Sequence, residues 1–212
     1  MLNDIWRRFS QRNRPLTTAS ELSVFLEERA AQVAQQSVIG YCHVKTQLPL
    51  VELMRDKPFV DAFHTSRWEA FAAVLADLIV VTEGLLRASA GERASRLVDP
   101  LTAMFAEILG RHPLPAHRPE GWSDVVASLR TRLARGQLAQ PLSFATVAET
   151  SAERLFATLP IHERLREPDK PAIVANVRFL MVGLRHQFDR RLDPSALVDA
   201  LLQTGPAASM PV

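Results

Sequence analysis

Apolar residues recur at three- and four-residue intervals along most of the chain, the spacing that lines one face of an α-helix. The pattern predicts an all-α protein, a multi-helix bundle or orthogonal array. Near the start, Leu2, Ile5, Trp6 and Phe9 share one face while Arg7, Arg8, Arg12 and Arg14 occupy the remainder, until Pro15 ends the element. Residues 1–15 therefore read as a short, basic, amphipathic helix. Thr18 and Glu21 have the spacing of a capping box and open a long helix with the stripe Leu22, Phe25, Leu26, Val33, Ser37, Tyr41 and Val44, ending near Pro49. Inside it, SVIGYCHV is rich in β-branched and aromatic residues, which leaves a short strand over 37–45 as the alternative to continued helix.

The next segment is apolar nearly all round. Trp68, Phe71, Leu75, Leu78, Ile79 and Leu86 form one face, and Ala70, Ala73, Val74, Val80 and Val81 cover the opposite side, so a buried central helix is expected near residues 67–87. Pro58 suits a helix start, and Ser66 with Glu69 offers a second one, so Phe59 to Arg87 reads as one kinked helix or two. Gly40, in the helix before it, reads as a point where a neighbouring helix or a ligand approaches the backbone closely. Asp99, Pro100 and Gly110 suggest an N-cap, a first-turn proline and a terminating glycine, a grammar repeated at Asp193, Pro194 and Gly205. RHPLPAHRPEG holds three prolines and predicts an exposed loop over 111–121. One helical domain over 16–205 is expected, with that loop as the place where two subdomains would divide.

Helical order resumes with Ser123 capping a helix that ends at Gly136, then the stripe Phe144, Val147, Ala148, Ser151 and Leu155. Pro160, Pro168 and Pro171 bracket a short turn of helix, HERLRE. Ile173, Val177, Leu180, Met181, Leu184 and Phe188 then define a second core helix. Residues 206–212, PAASMPV, read as a tail.

Composition changes this picture little. A hydrophobic share of 47% with 23% charged residues is that of an ordinary globular chain. The most apolar run, Phe71 to Leu86, is interrupted by Asp77 and Glu83, which argues against a membrane span. The first residues lack the apolar core of a secretory signal, and Cys42 is the only cysteine, so a reducing, cytoplasmic setting is expected, with a peripheral position at the inner membrane face left open by the basic helix. Net charge is +2, lysine is confined to Lys45, Lys57 and Lys170, and the arginines are dispersed among acids. That dispersal disfavours nucleic-acid binding, and the abundance of alanine and arginine suits a GC-rich bacterial genome.

Glu69 and Asp77, eight residues apart on the central helix, pose the sharpest chemical question, since a buried carboxylate must find a cation or be protonated. Arg178 and Arg185, seven residues apart on one edge of the late core helix, are the expected partners. The four residues form either a structural ion-pair network or a polar pocket with Tyr41 and His43 nearby, able to move protons or hold a ligand. Cys42 reads as a small core hydrophobe rather than a nucleophile. His43, His64, His112, His117, His162 and His186 are scattered, His112 and His117 sharing the proline loop without enough acids to complete a site, so neither a metal nor another cofactor is predicted. No GxSxG, GxxxxGK[ST] or GxGxxG motif is present. The expectation from sequence is a non-catalytic interaction or accessory protein docking on a protein partner, or on an anionic membrane surface, through Leu2, Ile5, Trp6, Arg7, Arg8, Phe9 and Arg12. A homo-oligomer is compatible with it. The alternative is a helical enzyme or small-ligand binder using the Glu69, Asp77, Arg178 and Arg185 pocket.

Overall fold

Thr18 and Glu21 close a reciprocal capping box, the Thr18 hydroxyl accepting from the Glu21 amide and the Glu21 carboxylate accepting from the Thr18 amide. From that start, helix α1 runs over Ala19–Thr46, and the stretch 37–45 is helical throughout. The computed structural model describes residues 14–203. The basic segment Leu2, Ile5, Trp6, Arg7, Arg8, Phe9 and Arg12 lies outside the described residues, as do Gly205 and the tail.

After the short α2 (Leu50–Leu53), Asp56 caps α3, which runs unbroken over Lys57–Ala90 with Pro58 in its first turn. At 1.5 Å per residue α3 is roughly 50 Å long. The expected second start at Ser66 does not occur, because Ser66 is fully buried in mid-helix and the Glu69 side chain is committed elsewhere. A 3₁₀ segment, Gly91–Leu97, leads directly into α4 (Val98–Gly110). Asp99 therefore lies inside a continuing helix rather than at an N-cap, and its carboxylate accepts from Arg130. Helix α5 covers Ser123–Gly136 with Trp122, not Ser123, at its cap position. Ser143 caps α6 (Phe144–Thr158) through the Thr146 amide. The short α7 (Glu163–Arg166) and a 3₁₀ turn lead to α8 (Lys170–Arg191), and Asp193 caps α9 (Pro194–Gln203) by accepting from the Ala196 amide.

Helices α1, α3, α6 and α8 pack in a closed ring: α1 on α3, α3 on α6, α6 on α8 and α8 back on α1. Phe188 of α8 is fully buried where the ring closes, edge-on to Phe25 of α1 and to Phe144 of α6, each at 5.0 Å between centroids. Helices α4, α5 and α9 pack against α3, which is why α3 is apolar almost all round. One contiguous hydrophobic cluster runs from Leu16 to Leu201. An isolated parallel bridge joins Leu16 to Leu192: the Leu16 amide donates to Arg191 O at 2.6 Å and the Asp193 amide to Leu16 O at 3.2 Å. Gly40, read from sequence as a point of close approach, faces open space. Gly84 holds that role instead, since a Cβ there would stand 3.0 Å from Cβ of Pro141. Among the described residues no helix is long and apolar enough to cross a membrane.

Because Phe188 fills the junction of three helices, Phe188→Ala is expected to cost about 3–5 kcal/mol of unfolding free energy. Urea denaturation checks this, and a loss below about 1 kcal/mol would mean the ring does not close on this side chain.

Candidate functional site

Helix α3 carries three buried carboxylates, and each is met by groups from other elements. Glu69 accepts from Arg118 Nε at 2.7 Å and Nη2 at 3.0 Å, and from Arg154 Nε at 2.8 Å and its Nη2, while His117 Nε2 lies 3.0 Å away. Arg118 and His117 come from the proline loop and Arg154 from α6. Arg118 is itself held by both oxygens of Asp124 at 2.8 Å and lies over the Trp122 ring. Asp77, with no exposed surface, accepts from Arg132 Nη2 of α5 at 2.7 Å and from the Ser151 amide of α6 at 3.0 Å. Glu83 accepts from Arg87 one turn on, at 3.0 and 2.6 Å, and from Gln137 Nε2 at 2.6 Å. Arg87 also donates to Ala139 O at 2.6 Å.

Arg178 and Arg185 are not among these partners. Helix α6 lies between α3 and α8, so the late helix never faces the central carboxylates. Both arginines sit on the outer surface instead, Arg178 3.1 Å from Glu149 and Arg185 3.6 Å from Asp189. Tyr41 and His43 are also remote from that cluster. The Tyr41 hydroxyl donates to Asp169 Oδ2 at 2.9 Å, which also receives Lys45 Nζ at 2.7 Å, so these residues clamp α1 to the turn before α8. Burial, then the Asp169 carboxylate, raises the Tyr41 pKa. His43 is exposed. Cys42 is completely buried, and burial pushes its thiol up to about 11, in keeping with a core hydrophobe. His112 and His117 face different acids, Glu27 and Glu69, and no group of three or more potential ligands gathers among the described residues.

The chemistry of the two sequence-designated acids follows from this geometry. A carboxylate offers about four lone-pair sites. The contacts from Arg118, Arg154 and His117 occupy those of Glu69, leaving none for a substrate or an ion. Burial acts to raise the Glu69 pKa, but the hydrogen bonds and charges of Arg118 and Arg154 outweigh it and hold the group below its ordinary 4.5. Asp77 is the reverse case: burial dominates over Arg132 and Ser151 and pushes it up to about 6. A perturbed carboxylate is a candidate for proton chemistry only where a reactant can touch it, and no surface of Asp77 is exposed.

Two features that sequence patterning did not single out are accessible. One is a cavity of about 230 Å³ between α1 and α3, bordered by Glu27, Ala34, Arg67, Trp68, Phe71 and His112. The only signal for it in the sequence is Trp68 and Phe71 at helical spacing, which reads equally as core. The other is the outer face of α8, where Phe179 is 76% and Val182 46% exposed, flanked by the outward Arg178 and Arg185. Both lie off the core stripe that the sequence places on this helix.

The two acids should respond to pH with opposite sign. Asp77 has a folded-state value above its ordinary 3.8, so the stability it contributes is present below that value and lost as pH rises through about 6. Asp77→Asn should therefore gain on the parent between pH 4 and 7, by up to about 3 kcal/mol at roughly 1.4 kcal/mol per unit. Glu69 stabilises above its ordinary 4.5 and loses that contribution as pH falls. Glu69→Gln should cost roughly 3 kcal/mol at neutral pH and less in acid. Urea unfolding from about pH 3 to pH 7 measures both, and parallel pH profiles for the two variants would contradict these assignments.

No protein-family model matches the chain, and neither a curated protein nor a solved structure is significantly similar to it.

Proposed function

We propose that this protein is a non-catalytic helical interaction or accessory protein, docking on an acidic protein partner through its basic N-terminal segment together with the outer face of α8. The observation that carries this reading is the apolar strip on α8, where Phe179 and Val182 stand in solvent between two outward arginines. Large apolar groups exposed beside cations on a regular helix suit a partner surface of apolar ridges rimmed by carboxylates. The flanking ion pairs, Arg178 with Glu149 and Arg185 with Asp189, are solvent-exposed and so worth little, which leaves both guanidinium groups ready to exchange partners.

The N-terminal segment extends the same surface chemistry. The bridge at Leu16 brings the chain to the C-terminal end of α8, where Arg191 Nε donates to Arg14 O at 2.8 Å. Arg14, the first described residue, thus lies at the end of the helix that bears the strip. Leu2, Ile5, Trp6 and Phe9 supply apolar anchors, while Arg7, Arg8 and Arg12 add cations. The competing pocket reading loses its support because Glu69 and Asp77 are neutralised inside the fold and Arg178 and Arg185 are elsewhere.

Removing residues 1–14 or introducing Phe179→Asp should leave the thermal melt within about 2 °C of the parent and weaken partner association at least roughly ten-fold. A photo-crosslinking residue placed at position 182 reports the association in extract of the native host as a discrete adduct. Undiminished adduct from both variants would sink the reading. Salt-sensitive sedimentation with anionic phospholipid vesicles, in place of a protein adduct, would move the docking surface to the membrane.

A further inference from the structure

The cavity between α1 and α3 has the shape and charge of a binding site. On the α3 side, Trp68 and Phe71 meet edge-on with centroids 5.9 Å apart. His112 closes the corner, 5.3 Å from Trp68 and 5.6 Å from Phe71. The α1 side offers the methyl groups of Ala31 and Ala34 together with the side chains of Glu27 and Gln35, and three rings face it across a slot of about 230 Å³. That is below the roughly 300 Å³ at which drug-sized pockets begin, and it suits a single planar ring with a short substituent.

The charges around the slot are unequally satisfied. Glu27 accepts from Arg111 Nη1 at 2.9 Å, with His112 Nε2 3.0 Å from its other oxygen, so the one lining carboxylate already has cationic and imidazole neighbours. Arg111 is held in place by Glu107 and by the Ser23 hydroxyl as well. Arg67 is the opposite case. Among the described residues it has no carboxylate within ion-pair distance, and its guanidinium lies over the Phe63 ring, 5.8 Å from the centroid. An aromatic slot with an unmatched arginine at its mouth selects a flat apolar body ending in an anion.

From this geometry we infer that the α1–α3 cavity binds a small aromatic carboxylate, its ring between the alanines of α1 and the Trp68, Phe71 and His112 corner, its carboxylate on Arg67. Nothing in the docking surface of α8 is needed for this, so either reading stands without the other.

The test is calorimetric titration of the full chain with benzoate, phenylacetate and 3-phenylpropanoate, each beside its neutral amide, with the fluorescence of a Trp6→Phe, Trp122→Phe variant, which retains Trp68, as a second readout. At least one acid should bind saturably, and its amide should bind roughly ten-fold more weakly or worse. Arg67→Gln should reduce affinity for that acid by about the same factor while leaving the amide unchanged. Ala31→Phe, at an exposed position on the slot's rim, should block binding with the circular dichroism melt preserved. No saturation by any acid below roughly 10 mM would overturn the site. Equal binding of acid and amide would overturn its anionic character, and undiminished binding by Ala31→Phe would overturn its location.

Discussion

The fold depends on how α3 buries its acids. A helix covered nearly all round would be simplest if it were wholly apolar, yet α3 carries Glu69, Asp77 and Glu83 among its buried residues. An unpartnered carboxylate away from water is far more costly than any apolar contact it replaces. The elements around α3 must therefore arrive in a register that brings N–H groups to three separate points. The proline loop delivers Arg118, α5 delivers Arg132 and, from its C-cap, Gln137, and α6 delivers Arg154 and the Ser151 amide. Sliding α6 by one turn against α3 would take a donor from two carboxylates at once, Arg154 from Glu69 and the Ser151 amide from Asp77. Such groups add little net stability over an apolar core, but they penalise wrong packings heavily, which is the role best suited to them here.

What was legible in the sequence was local. The Thr18 and Glu21 box, Pro58 near the start of α3 and Asp193 before α9 act within four residues of themselves, so spacing alone identifies them. The all-α class and the buried central helix follow from periodicity in the same way. Where local grammar was ambiguous, tertiary packing decided it. Ser66 looked like a cap and is core, and Asp99 looked like a cap but lies within a helix already begun by the 3₁₀ turn before it.

Partners across the fold were not legible. Arg178 and Arg185 have the correct charge and helical spacing to meet Glu69 and Asp77, and nothing in a linear pattern says that α6 is interposed. Arg118 sits in an irregular loop and Arg154 flanks rather than shares the apolar stripe of α6, so neither advertises a buried contact. Glu83 and Arg87 carried a weak signal, their four-residue spacing, which is common on solvent-facing helices too. The accessible features are inconspicuous for a related reason. Periodicity places Phe188 on the core stripe of α8 and Phe179 off it, and the packing is what shows Phe179 standing in solvent.

The Leu16 to Leu192 bridge sets how mechanical force would pass through this molecule. Two backbone hydrogen bonds and the Arg191 to Arg14 contact tie the incoming chain to the joint between α8 and α9. A pull on residues 1–13 would load that joint first, ahead of the aromatic closure at Phe188 and the ion pairs of α3. The attachment is thus a double fastening, main-chain bonds on one side of the chain and the buried Leu16 side chain on the other, so the first residue to feel a pull is already part of the core.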